Sequence, residues 1–176
     1  MVSGPGSTLP PSAAGAAAAL FFLLGPGLEA GVGPYLVTGG WEHGDALPAQ
    51  AVWTAAGVLL VVAGLAVLVQ GYMAFLRDGR GTPTPAAPTT ALVATGAYRH
   101  VRNPMYVATA AVIAGEGLLL ARPLLFAAAA AYIATLAFCV RRWEEPALRA
   151  RFGPEYDDYR AAVPGWLPRP ERRIRA

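Results

Sequence analysis

The sequence predicts an all-α integral membrane protein with four transmembrane helices, the last two a hairpin, followed by short cytoplasmic amphipathic helices at the C-terminus. Three observations carry this. Apolar residues make up 55% of the 176 residues and charged ones only 14%, against roughly 25% charged in an ordinary soluble domain. The apolar residues are gathered into runs that approach the ~20 residues a helix needs to cross a bilayer. All fourteen basic residues are arginine, and they collect on what would be one side of those spans.

In chain order, residues 1–12 are rich in Gly, Ser and Pro and are expected to be disordered. They lack a basic n-region, so no signal peptide is read there. Residues 13–76 hold the first two spans. The first, 13–37, carries Glu29 and should kink at Gly25-Pro26-Gly27. A short loop, 38–49, offers Trp41 as an interfacial anchor. The second span, 50–76, has no proline and is the clearest of the four. Residues 77–103 form a connector, in which the prolines of 82–88 forbid helix.

Residues 104–140 are read as the hairpin. Pro104 suits the first turn of a helix, where its missing N–H would be unpaired anyway. Arg122-Pro123 makes the tight turn between the two spans, each near the ~17-residue lower limit for crossing. The tail, 141–176, is polar and basic. Glu145 precedes Pro146, which predicts a break. Leu148, Phe152, Tyr156, Tyr159 and Val163 follow at helical spacing and read as a packing stripe, interrupted at Gly153-Pro154. Two short helices on the membrane face are expected.

Four spans put thirteen of the fourteen arginines on the side of the connector and tail, with Arg122 alone opposite. The positive-inside rule then makes both termini cytoplasmic, and a bacterial inner membrane is the expected setting. Partners are the bilayer and a small substrate, not nucleic acid, and oligomeric state is unreadable. No inverted repeat favours a transporter. The single cysteine, Cys139, excludes an intramolecular disulfide and a cysteine-built metal cluster, and no metal is expected.

Three polar constellations stand out. Residues 96–106 read Gly-Ala-Tyr-Arg-His-Val-Arg-Asn-Pro-Met-Tyr, and an apolar run follows at once. Arg99 and Arg102 are three apart, so on a helical turn they could share one carboxylate or phosphate; the plainer reading is two interfacial arginines. Gly115-Glu116-Gly117 places a carboxylate inside the third span, a functional candidate by position, between glycines that let a ligand approach the backbone. Its plainer reading is solvation near the far interface. Glu144-Glu145 follows the fourth span, where pairing with Arg141 and Arg142 is the simpler role. Cations and carboxylates together at one rim suit a zwitterionic cofactor with an amino-acid moiety.

The order Gly-x-Tyr-Arg-x-Val-Arg-x-Pro-x-Tyr, a hairpin, then Glu-Glu-x-x-Leu-x-x-x-Phe-Gly-x-x-Tyr-x-x-Tyr resembles the isoprenylcysteine carboxyl methyltransferase family and the related phospholipid N-methyltransferases. The resemblance covers residues 92–168. It implies an S-adenosylmethionine (SAM) pocket at the cytoplasmic end of the last hairpin. The implied cofactor-binding residues are Tyr98, Arg99, His100, Arg102, Asn103, Pro104, Tyr106, Gly115, Gly117, Glu144 and Glu145. Asn103 stands where those families usually have histidine; it keeps a hydrogen-bonding edge but cannot titrate.

The expected activity is therefore methyl transfer from SAM to a carboxyl, amine or thiol on a lipidic or amphipathic substrate entering between spans. Arg102 and Asn103 are the candidate catalytic residues at the rim, with Glu116 the candidate general base. Two other readings exist, an NADPH-dependent membrane reductase of the sterol-reductase type and a non-enzymatic membrane scaffold.

Overall fold

A computed structural model describes residues 23–45, 48–78 and 89–168. The expected disordered N-terminus, the first ten residues of the first span and the proline-rich part of the connector lie outside them. Every regular element among the described residues is helical. The first is a π-helical stretch, Leu23–Val32, with Pro26 inside it. It runs into a short α1, Gly33–Thr38, that ends on Gly39 in the left-handed conformation. A π-turn is the wider helix, and the expected proline distortion takes that form here.

Helix α2, Gln50–Arg77, is the long uninterrupted span that its proline-free sequence predicts. After the connector a 3₁₀ turn, Gly96–Arg99, leads into α3, Pro104–Leu119, with Pro104 in its first turn. Ala121 at φ +49° turns the chain, and the Arg122 N–H closes that turn on the Gly117 carbonyl at 2.9 Å. Helix α4 is Leu124–Cys139.

The expected break before Pro146 does not occur. Helix α4 continues through a π-helical turn, Val140–Glu144, into α5, Glu145–Phe152. The Glu145 N–H reaches back five residues to the Val140 carbonyl. A turn widened in this way passes the proline without the clash that a tight α-turn would impose. The chain breaks instead at Gly153, φ +56°, before α6, Pro154–Ala162. The first of the two expected surface helices is thus the end of the last span.

Among the described residues, two helices are long and apolar enough to cross a membrane, Gln50–Arg77 with 28 residues and the continuous Leu124–Phe152 with 29. Helix α3 is apolar but has 16 residues. Large apolar side chains on their outer faces, among them Leu59, Val62, Leu124 and Phe138, are exposed, as lipid-facing surface requires.

Helices α2 and α3 pack antiparallel through a row of glycines seven residues apart. A Cβ on Gly57 would lie 2.8 Å from the Gly115 carbonyl, one on Gly64 would lie 2.8 Å from the Ala108 carbonyl, and one on Gly71 would meet Met105 at 2.8 Å. Lipid tails are as apolar as leucine, so such close backbone approach, not hydrophobic burial, holds spans together. The core formed above it joins Leu68 and Ala74 of α2 to Tyr98, Met105 and Ala108. A second core, Ile113, Leu120, Leu125 and Ala129, closes the α3–α4 hairpin.

Candidate active site

Gly96, at φ +57°, opens the 3₁₀ turn in a conformation that glycine takes without strain. That turn sends Tyr98 inward, leaving Arg99 and His100 exposed. The chain then leaves the turn without regular structure and docks on the tail. The Arg102 N–H donates to the Pro164 carbonyl at 2.8 Å, and the Asn103 N–H to the Gly165 carbonyl at 3.1 Å. The Asn103 side chain, 7% exposed, donates through Nδ2 to the same Gly165 carbonyl at 3.0 Å. An asparagine serves this place because the task is donation to a backbone carbonyl, not titration.

Arg102 is the centre of the constellation. Its Nη1 lies 2.7 Å from Glu145 Oε1 and 3.0 Å from the Tyr156 phenol oxygen, and its Nε donates to the Val163 carbonyl at 3.1 Å. Glu145 also pairs with Arg160, 3.4 Å from its Oε2. The simpler pairing of the two glutamates with Arg141 and Arg142 is not formed among the described residues. Arg102 and Glu145 are 13% and 16% exposed in their side chains, so this pair ties the mouth of α3 to α5 and α6 out of bulk water.

Glu144, the neighbouring carboxylate, is placed differently. It is exposed, and its Oε2 accepts a hydrogen bond from the Tyr106 phenol at 3.1 Å. Tyr106 is stacked on Trp166. The Tyr159 phenol donates to the Tyr98 carbonyl at 2.7 Å. Burial pushes the phenols of Tyr98 and Tyr159 up from their usual range, so both stay protonated and available as donors.

These groups surround a cavity of about 550 Å³, within the roughly 300–1,000 Å³ of small-molecule sites. Of the sequence-selected residues, Tyr98, Arg102, Asn103, Tyr106 and Glu144 line it. Glu145 stands behind Arg102 as its ion partner. His100 and Pro104 line a smaller, apolar groove of about 280 Å³ that also takes in Gly64 and Val67 of α2. Gly115 packs against α2, and a Cβ on Gly117 would meet Leu125 at 3.2 Å. Both glycines serve helix packing. Glu116 lies near the far end of α3 from Arg102 and lines neither cavity.

The sequence pattern alone left out Glu29, Phe75, Arg151, Tyr156 and Tyr159, which all line the main cavity. Of the stripe read as packing, Tyr156 is buried, and Leu148, Phe152, Tyr156 and Tyr159, but not Val163, also line the cavity. Its signal was the two tyrosines, since a purely structural stripe has no need of phenols. Arg151 is held over Phe152 and donates to the Thr89 carbonyl.

The family model described as phospholipid methyltransferase matches residues 52–155, from the first turn of α2 to the start of α6. No curated protein and no solved structure matches the chain. The matched segment contains Tyr98, Arg102, Tyr106, Glu144 and Glu145, while Glu29, Tyr156 and Tyr159 fall outside it.

Proposed function

The chain belongs to the phospholipid methyltransferase family, and from that premise we propose that it is a SAM-dependent membrane enzyme that methylates a lipidic acceptor. The observation that carries this is the single cavity gathering Tyr98, Arg102, Tyr106 and Glu144 between the mouth of α3 and the tail helices.

The residues fit that cofactor. The cavity has the volume of a ligand site, aromatic rings line it, and Glu144 presents a carboxylate whose bonded partner is a phenol, not a cation. Glu144 is the natural holder of an α-ammonium, with Tyr106 fixing its orientation. Arg102 already donates to Glu145, so it acts first as the frame that shapes the rim. Its remaining nitrogen, Nη2, packs close to Gly165, where a Cβ would lie 3.4 Å away.

When bound, SAM supplies a methyl group on a sulfonium, a leaving group that needs no acid. What remains for the protein is positioning and the exclusion of water. The tail does both: the Pro164 and Gly165 carbonyls clamp the mouth of α3, and Tyr156 and Tyr159 close the wall. Asn103 holds this closure through its amide. The acceptor enters laterally from the bilayer.

The test is ligand-dependent melting of the purified protein with SAM and, separately, NADPH. A ligand at a hundred times its dissociation constant stabilises by about 2.7 kcal/mol. Stabilisation by SAM is expected. Stabilisation by NADPH alone would transfer the site to a reductase, and stabilisation by neither would leave a scaffold.

A further inference from the structure

The apolar groove of about 280 Å³ between α2 and α3 shares no lining residue with the main cavity. Small side chains make it, Ala63 and Gly64 on α2 and Ala108 and Ala111 on α3. Pro104, Val107 and Ala111 line it at helical spacing, so it follows about 10 Å of α3 at ~1.5 Å per residue. Ala63 is exposed, as is its neighbour Val62. The groove is therefore open on the lipid-facing surface of the spans.

Its mouth lies at the arginine-rich end of the molecule, where His100 and Trp166 line it. His100 and the preceding Arg99 are exposed, and neither forms an ion pair with a described residue. Pro168 also lines the groove, and the sequence continues from it with Arg169, Arg172, Arg173 and Arg175. Basic residues thus adjoin the mouth of an apolar channel. The occupant with both halves of that chemistry is a phospholipid of net negative charge, which offers an acyl chain to the channel and a phosphate to the arginine. Basic residues at the cytoplasmic ends of spans attract such lipids. A second copy docking symmetrically would bring its own arginines to the same place, where like charges repel.

We propose that this groove seats one acyl chain of an anionic phospholipid that is not the methyl acceptor, with its phosphate on Arg99 and His100, and that the bound lipid steadies the cofactor site from behind. The coupling, unlike the binding, rests on the methyltransferase reading above. Trp166 carries it. Trp166 lines the groove and stacks on Tyr106, with 6.2 Å between ring centroids. Tyr106 lines the main cavity and donates to Glu144 at 3.1 Å. A lipid chain packed against Trp166 restricts that ring, and with it the phenol that orients the Glu144 carboxylate. Coupling between two sites is reciprocal, so the lipid raises SAM affinity by the factor by which SAM raises lipid affinity.

The experiment titrates the full-length protein in neutral detergent micelles with phosphatidylglycerol and, separately, with phosphatidylcholine of the same chains. Melting shifts read the affinity. Wild type is expected to prefer phosphatidylglycerol at least tenfold, about 1.4 kcal/mol. Ala63→Phe puts a ring into the groove from an exposed position and should lose the preference. Arg99→Gln should weaken phosphatidylglycerol about fivefold, the ~1 kcal/mol of one juxtamembrane basic residue. Both variants should melt like wild type in lipid-free micelles.

A wild type without the preference overturns the site. A preference that survives Ala63→Phe overturns the groove, and unchanged affinity in Arg99→Gln overturns the headgroup contact. Melting that rises with protein concentration and not with lipid would mean a second copy in the groove and overturn the lipid. Should Ala63→Phe fail to fold, phosphatidylglycerol with brominated chains decides. It should quench a smaller fraction of tryptophan fluorescence in Trp166→Phe than in wild type, and equal fractions overturn the groove. Saturating phosphatidylglycerol should also tighten SAM binding at least threefold in wild type. SAM binding that ignores the lipid overturns the coupling alone. A wild type that does not bind SAM removes the methyltransferase reading and the coupling with it, while the lipid titration still decides the groove.

Discussion

Adjacent residues of like chemistry can have opposite duties, and Glu144 and Glu145 show how. Glu145 faces Arg102 and Arg160 in a mostly buried pair; Glu144, one residue earlier, turns to Tyr106 on the cavity wall. Neighbouring residues on a helix point to different faces, and here those faces meet different partners. Two substitutions separate the duties. Arg102→Lys keeps the charge but loses the fork that reaches Val163, Glu145 and Tyr156 together, since an ammonium is a point charge. It should lower the melting temperature and weaken SAM binding at least tenfold, about 1.4 kcal/mol. Glu144→Gln should leave the melting temperature of the free protein nearly unchanged and weaken SAM binding by roughly ten- to a hundredfold, the ~1.5–3 kcal/mol of a charge-assisted hydrogen bond. Calorimetric titration and thermal melts of both variants check this, and an Arg102→Lys protein with wild-type behaviour would make that arginine a topology signal only. The pattern in residues 96–106 singles out Arg102. It does not reveal that Arg102 and Glu145 hold each other, because that contact joins residues 43 apart, and spacing rules see only neighbours.

The elements were legible in proportion to how local their causes are. Helix α2 follows its apolar run to within a residue, and α3 starts on the proline that predicts it. Pro146 misleads, because a rule built on α-geometry ends the helix where a π-turn lets it continue. The stretch Gly115-Glu116-Gly117 misleads for another reason: glycine permits close approach by a ligand or by another helix, and the sequence does not say which. The spacing Gly57, Gly64, Gly71 resolves it, since a seven-residue row of small residues needs a partner helix. Gly64→Val should therefore be severe. Even the first added carbon would sit 2.6 Å from Val112 Cγ2 and 2.8 Å from the Ala108 carbonyl, whereas one on Gly31 has nothing within 4 Å. Overpacking costs roughly 1–3 kcal/mol. The Gly64 variant should melt well below wild type in detergent, with Gly31→Ala unchanged, and equal melting of the two would mean that α2 and α3 separate freely.

At the scale of the whole molecule, the two ends differ in charge. At one end the loop after α1 meets the α3–α4 turn: Arg122 donates through Nε to the Glu42 carbonyl at 2.9 Å, and the Gly44 N–H bonds the Leu120 carbonyl at 2.8 Å. Arg122 is the one arginine there among the described residues, and it is partly neutralised by the Glu42 carboxylate, 3.6 Å away. At the other end stand Arg77, Arg99 and Arg102 with the arginines of α5 and α6, of which Arg102 and Arg151 line the cavity. Orientation in a membrane follows Lys and Arg near the span ends, so the cavity rim should face the cytoplasm. The same side is where a soluble, charged cofactor would reach Glu144. A reporter fused to the C-terminus should be active only in its cytoplasmic form, and a fusion within residues 39–45 should behave oppositely. A C-terminal reporter active outside the membrane would invert the chain, and with it the route by which the cofactor reaches its site.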